Sequence, residues 1–539
     1  VDAAPSPAVT PSPRRWRGDP WAILLTLSLG FFMTLLDLTI VNIALPNMID
    51  RLGASLDEVL WVVNGYTLVL AVLLITAGRL GDLRGQRRMF MLGVAVFTGA
   101  SLLCGLAQEP WQLIAARLLQ GLGAALLVPQ TMALIIATFP ADRRGAAMGI
   151  WGGVAGLATI AGPTVGGVLV SLLDWRWIFF VNVPIGILVL VLAPAVIPDV
   201  RYSREHRLDL PGVLLATLGL FFLAFALTEG ERYGWNGVIL GSFAASAAIL
   251  CLFALQQARR QGAEPLVPFA LFLRRNFTVL SLVGLTVSIG MVGMFLPISL
   301  YLQAVLGYPA LKTGLLLAPC SVMGMVVAPA AGRLSDRIGG KRILMFGMLL
   351  YALGLTWLSL VLSLDAHWTV FLAPMTVAGL GTGCVFAPMA TEAMREIPPA
   401  LAGSASGVNN TVRQIGSVLG GTVAGAILQN RMASELRAGA VERSGELPGP
   451  LREDFVARLA RAAEGGLAPG AQDATAAEGV PPQVGLLAEE VFGTALIDAV
   501  RPTQAFAVVS VLLGAAACLL VRPPRNGAPP RETASGGPG

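Results

Sequence analysis

The chain has 539 residues, 55% of them hydrophobic and 13% charged, with a formal net charge of +5 and a mean hydropathy of +0.73. Soluble globular domains carry about 25% charged residues, so this chain lacks the charge to solvate a soluble surface. Apolar runs of roughly 20 residues recur, the length that crosses about 30 Å of hydrocarbon, and the class that remains is an all-α polytopic membrane protein.

In chain order, residues 1–20 are rich in Pro and Arg, have no small-residue cleavage site, and read as a tail rather than a signal peptide. Fourteen apolar spans follow, at roughly 21–47, 57–78, 88–107, 111–138, 146–170, 177–197, 211–228, 237–257, 277–306, 312–332, 343–362, 369–390, 403–428 and 502–521. The first holds "LDLTIVNIALP" (36–46), which places Asp37 in mid-helix and Asn42 five residues on. "GRLGDLRGQRR" (78–88) joins the second and third spans, and the fourth contains "RLLQGLGAA" (117–125) with Arg117 and Gln120. The fifth carries "GLATIAGPTVGG" (156–167), and "DWRWIFFVNVPIG" (174–186) opens the sixth. "GRLSDRIGGKR" (332–342) ends the tenth, while Asn409, Asn410, Arg413 and Gln414 precede "GSVLGG" (416–421) in the thirteenth. Residues 429–501 are rich in Ala, Gly and charge, with short helical patterns such as "LREDFVARLARAA", and read as a loop of little chemical content.

An even number of spans puts both termini on one side. With the tails cytoplasmic, the cytoplasmic segments hold 24 Lys and Arg, against Arg51, Arg176, Arg232 and Lys312 in the short outer loops. The seven arginines of 429–501 weigh little, because long loops translocate largely regardless of charge. The basic balance is therefore a topology signal and not a nucleic-acid footprint. Trp61, Trp111, Trp175, Trp177, Trp235 and Trp368 fall at the expected outer ends, where interfacial aromatics belong. The five cysteines are odd in number and lie in apolar segments, which is no disulfide framework. His206 and His367 fall on opposite sides, so no metal site is expected. A Walker A loop needs Gly-Lys-Ser/Thr, and neither Lys312 nor Lys341 has that context. No cofactor is expected, and without a phosphate-binding loop any energised transport would have to draw on an ion gradient.

The two turn motifs match at six of eleven positions at an offset of 254, and "GPTVGG" (162–167) pairs with "GSVLGG" at the same offset. Two matches in one register indicate two homologous six-helix halves, with the spans 211–228 and 237–257 inserted between them. With these motifs the chain resembles the major facilitator superfamily, in its fourteen-helix drug:H+ antiporter subfamily, over about residues 20–521. The implied organisation is a cytoplasmic tail (1–20), an N-terminal bundle (21–197), two inserted helices with flanking loops (198–276), a C-terminal bundle containing the extracytoplasmic loop 429–501 (277–521), and a cytoplasmic tail (522–539).

Asp37 is too short to snorkel from mid-helix, and a charge there costs at least about 2.5–3.5 kcal/mol. Burial favours the neutral acid, as a proton carrier requires. A packed polar residue is the bland alternative, and the resemblance implies proton coupling or substrate binding. Arg117, with Gln120 on its helical face, is either a structural charge pair or, as the family implies, an assistant to proton transfer. Met375 stands about where Arg117 would repeat, so the proton chemistry looks one-sided. Gly78, Asp82, Gly85 and Arg88, repeated as Asp336 and Arg342 in the second half, serve topology and helix capping, or a gate latch by resemblance. Gly156, Gly162, Pro163, Gly166 and Gly167 permit close helix packing, with a bend at Pro163. In the family the pattern marks antiporters, hence export. Asn42, Gln120, Asn410, Arg413 and Gln414 are open between substrate contact and interhelical bonding. Met291, Met294, Phe295 and Met323 could line an adaptable pocket, or simply pack.

The expected function is proton-coupled efflux of a lipophilic, aromatic drug or antibiotic across a bacterial cytoplasmic membrane by a monomer. Its partners are the drug, protons and lipid. A metabolite, lipid or siderophore exporter, or a non-transporting sensor, is the alternative. With one deep carboxylate, neutral or weakly charged substrates are expected over dications.

Overall fold

A computed structural model describes residues 18–140, 143–198, 208–230, 232–262, 265–465 and 482–522. The tail arginines at 14, 15, 17, 525 and 531, with Arg201, Arg204, His206 and Arg207, lie outside them. The described residues form α1 (Pro20–Leu52), α2 (Leu56–Arg84), α3 (Gln86–Leu106), α4 (Pro110–Thr138), α5 (Arg144–Leu172), α6 (Trp177–Phe180), α7 (Asn182–Val196), α8 (Leu210–Glu229) and α9 (Gly237–Arg259). The second part holds α10 (Arg275–Ala304), α11 (Ala310–Ile338), α12 (Gly340–Leu360), α13 (Leu372–Met394), α14 (Ala402–Arg443), α15 (Gly449–Gly465) and α16 (Pro482–Cys518). Among the described residues, 12 helices are long and apolar enough to cross a membrane. Each of the fourteen expected spans falls on a helix, but α5 and α14 do not meet that measure.

Local chemistry sets the helix ends. The Ser55 hydroxyl accepts from the Glu58 N–H, and the Glu58 carboxylate accepts from the Ser55 N–H, a reciprocal capping box that starts α2. Gly85 (φ +98°) and Gly339 (φ +85°) form the α2–α3 and α11–α12 turns in a backbone region that favours glycine, at equivalent places in the two repeats. Exposed Leu25, Val191, Leu273 and Leu360 coat the outside of the bundle with apolar surface, as lipid requires.

The seam between the halves is built from backbone. A methyl group on Gly78 (α2) would collide with the Gly403 carbonyl (α14), and one on Gly332 (α11) with the Gly145 carbonyl (α5). At Gly156 such a methyl would lie 2.8 Å from the Ser321 carbonyl of α11. The inserted α8 braces one seam: Asn64 of α2 donates to Glu229 (3.2 Å), and the Thr422 hydroxyl of α14 donates to the Leu227 carbonyl (2.8 Å).

Two expectations need correction. Trp175 is fully buried and so is not an interfacial residue. Much of 429–501 is ordered helix: α14 runs on to Arg443, α15 follows, and α16 begins twenty residues before the expected span. Leu428, Met432, Leu436 and Ala440, spaced by four, form one face that packs into a core with Phe455, Leu459 and Phe492. The Arg443–Glu490 ion pair (2.8 Å) ties α14 to α16. Residues 466–481 of that stretch lie outside the described residues.

Outside the spans, Asp209 caps α8 by accepting from the Gly212 N–H (3.1 Å). Burial pushes its carboxyl up, but hydrogen bonds from Gln256, Gln257 and Gly212 and the charge of Arg260 outweigh it and hold the group below the usual carboxylate range.

Candidate functional site

Asp37 and Arg117 meet inside the first half. The Arg117 Nη1 donates to Asp37 Oδ2, and its Nε to the Val62 carbonyl of α2 (2.9 Å). Gln120, one turn on in α4, donates its Nε2 to Asp37 Oδ1 (2.8 Å) and accepts from Arg117 through Oε1 (2.6 Å). Asn182 at the start of α7 donates to the same Asp37 oxygen (3.4 Å), and Ser101 of α3 anchors Gln120 (2.8 Å). The guanidinium lies 4.4 Å from the centre of the Tyr66 ring, a cation–π contact. Asp37, Gln120, Asn182, Ser101 and Tyr66 are fully buried. Every partner of the carboxylate donates to it. Replacing one member of such a pair leaves a buried charge uncompensated, at about 3–5 kcal/mol.

A central cavity of about 250 Å³ lies between the halves. α1 contributes Phe31, Leu35, Leu38 and Thr39 to its wall, but not Asp37. The helix therefore shows one face to the cavity and another to the charge pair. Thr39 links α1 to α5: its hydroxyl donates to the Ala158 carbonyl (3.2 Å), and Gly162 leaves it room, since a methyl there would strike the hydroxyl oxygen. Trp151 and Phe31 stack at 4.3 Å, and Phe386 and Arg413 enter from the second half. Of the methionine group, Met291 lines the cavity with Phe295, whereas Met294 is core and Met323 is not in the wall.

The paired turn motifs act across the seam. Asp82 accepts from the Gly403 N–H (2.8 Å), the Ser404 N–H (2.7 Å) and the Ser404 hydroxyl (2.6 Å), capping α14. Asp336 accepts from the Gly145 N–H (3.0 Å) at the start of α5. Each half thus supplies a carboxylate to a helix N-terminus of the other, where the macrodipole favours it.

The remaining expected residues are more dispersed. Arg88 and Arg342 are exposed. Their neighbours Arg87 and Lys341, also 254 apart, make the contacts: Arg87 donates to the Pro194 carbonyl (3.2 Å) and Lys341 to the Leu519 carbonyl (2.6 Å). Asn42 is exposed and bonds Leu38 of its own helix (3.2 Å). Asn410 bonds Ser406 (2.9 Å), and Gln414 is half-buried outside the cavity wall. Gly166 is buried, Gly167 faces open space, and the side chain of Pro163 lies outside the described ones. Sequence reasoning missed Asn182, Ser101, Tyr66, Trp151, Arg87 and Lys341 as site residues. Asn182 carried a signal, an amide inside the apolar run "FFVNVPIG".

Two seams, a central cavity and a buried charge pair between α1 and α4 organise the bundle, and residues 27–421 match the family described as the Major Facilitator Superfamily. The chain belongs to the major facilitator superfamily. Among its relatives, an uncharacterized MFS-type transporter of Mycobacterium tuberculosis is 39% identical over 82% of this chain and 78% of its own length. The tetracenomycin C resistance and export protein of Streptomyces glaucescens is 36% identical over 77% of each chain. The multidrug resistance protein Stp of M. tuberculosis is 35% identical over 83% of each. A solved proton:xylose symporter of the superfamily shares the fold, with a TM-score of 0.54 and 16% identity over 75% of this chain and 87% of that one. Members of this family are transporters rather than enzymes.

Proposed function

We propose that the chain is a proton-coupled exporter of lipophilic aromatic drugs or antibiotics, working as a monomer by alternating access in a bacterial cytoplasmic membrane. In this reading α5 and α14 cross the membrane with the twelve apolar helices, giving fourteen spans. The polar composition of α14 suits a helix whose Gly403, Ser404, Ser406 and Asn409 are buried inside the bundle. The arginine-rich face is cytoplasmic, and it is the face sealed by the Gly78–Gly403 and Gly145–Gly332 contacts.

The observation that carries the reading is the buried pairing of Arg117 with Asp37, whose helix α1 also walls the cavity. A proton arriving at Asp37 would release Arg117, and the change would reach the cavity through α1 and the Thr39–Ala158 link rather than by contact with the drug. Substrate and proton thus need not share a site. Efflux rather than uptake is supported by the relatives named for resistance and export.

The test is drug accumulation and growth inhibition in an efflux-deficient bacterium expressing wild type or Asp37→Asn, across a panel of aromatic antibiotics. Wild type lowers accumulation, an uncoupler abolishes the effect, and the Asn variant reaches the membrane without protecting. Protection that survives the uncoupler would sink the proposal.

A further inference from the structure

The central cavity is unbalanced in charge. Among the described residues lining it, Arg413 alone carries a formal charge. Arg117, the other arginine at membrane depth, is matched by Asp37, but the side chain of Arg413 has no ion pair or hydrogen bond among the described residues. Its guanidinium lies 5.2 Å from the centre of the Phe386 ring, and its Nε is buried without an acceptor. The indole N–H of Trp151, in the same wall, is also buried without one. Both groups donate only. The hydroxyls of Thr39 and Thr382 are already committed to the carbonyls of Ala158 (3.2 Å) and Gly379 (3.1 Å). An uncompensated half-buried charge and an unpaired buried donor are each unfavourable, and both would be relieved by a ligand that brings negative oxygen atoms.

We infer that the cavity selects anionic aromatic molecules, planar ring systems bearing a carboxylate, phenolate or enolate whose oxygens accept from Arg413. The rings lie against Phe31, Trp151 and Phe386, and the charge-assisted bond fixes their orientation. A cationic drug meets a like charge and no carboxylate in the wall. This rests on the exporter reading of the same cavity and narrows its substrate class.

The test is fluorescence binding to the purified full chain with three probes: 3-hydroxy-2-naphthoate, its methyl ester, and ethidium. The acid binds about tenfold or more tighter than the ester, the scale of a hydrogen bond to a charged group. Arg413→Gln removes that difference by weakening the acid alone, and Arg413→Lys retains part of it. Ethidium binds wild type most weakly and gains in Arg413→Gln. Equal affinity for acid and ester, no binding of the acid, or ethidium as the tightest ligand would overturn the inference. If Arg413→Gln does not fold, the acid-to-ester ratio of the wild-type chain decides alone. Acid selectivity without any transport driven by a pH gradient would remove the exporter reading and leave this one standing.

Discussion

Asp37 and Thr39 stand two residues apart on α1 and face different compartments. Asp37 is sealed in the first half against Arg117, while Thr39 lines the central cavity and holds the Ala158 carbonyl of α5. One helix therefore carries both the carboxylate of the ion pair and part of the cavity wall, and any movement of α1 that follows protonation also reshapes the cavity.

That arrangement separates stability from coupling. Asp37→Asn leaves Arg117 buried without a counter-charge and lowers stability by about 3–5 kcal/mol, while the double change Asp37→Asn with Arg117→Met recovers most of the loss. Both variants lose transport driven by a pH gradient. Thermal unfolding in detergent and proteoliposome transport check the two halves of the statement, and a stable double variant that still couples would contradict it.

The capping carboxylates predict a weakened seam. Asp82→Ala removes three hydrogen bonds at the start of α14, and a lost N-cap costs about 1 kcal/mol. The equilibrium then moves by roughly fivefold toward opening at the arginine-rich face. Asp336→Ala acts in the same direction at α5. Distances between spin labels across the seam report the shift, and unchanged distances in both variants would refute the latch.

Glycine contacts at the seam make a sharper version of that test. Gly332→Ala drives a methyl group into the Gly145 carbonyl, and overpacking costs about 1–3 kcal/mol. Opening exposes Cys320, which lines the cavity, so its labelling from the arginine-rich face rises by about fivefold or more in a chain whose other cysteines are alanine. Gly167→Ala, at a position with open space around it, leaves the rate unchanged.

Asp209 gives a pH signature outside the spans. Its folded-state acidity is stronger than that of the unfolded group, so its contribution is fully present above the unfolded pKa of about 3.9. It is lost as pH falls through the folded value. Melting temperatures measured from neutral pH to pH 3 should therefore fall for wild type relative to Asp209→Asn only at the acid end. A difference that persists unchanged to the lowest pH would count against the assignment.

The periodic apolar runs and the repeat offset of 254 made the helices and the Asp82/Asp336 symmetry legible, because both depend on local composition and duplicated sequence. The meeting of Asp37 with Arg117 depends on packing between helices 80 residues apart, and no local pattern encodes it. Residues 429–443 and 482–501 were misread because Ala and charge lowered their hydropathy. Yet the spacing of Leu428, Met432, Leu436 and Ala440 held a helical face all along. Arg413 could be placed at membrane depth from sequence, but its lack of a partner is a property of the assembled wall.

The most direct test of proton coupling through Asp37 is transport of a fluorescent aromatic antibiotic into proteoliposomes under an imposed pH gradient, comparing wild type with Asp37→Asn at matched protein density. Wild type is expected to accumulate the drug while the gradient lasts and to release it when the gradient collapses, whereas the variant only equilibrates it. Gradient-driven accumulation by Asp37→Asn equal to that of wild type would contradict the assignment of Asp37 as the proton site.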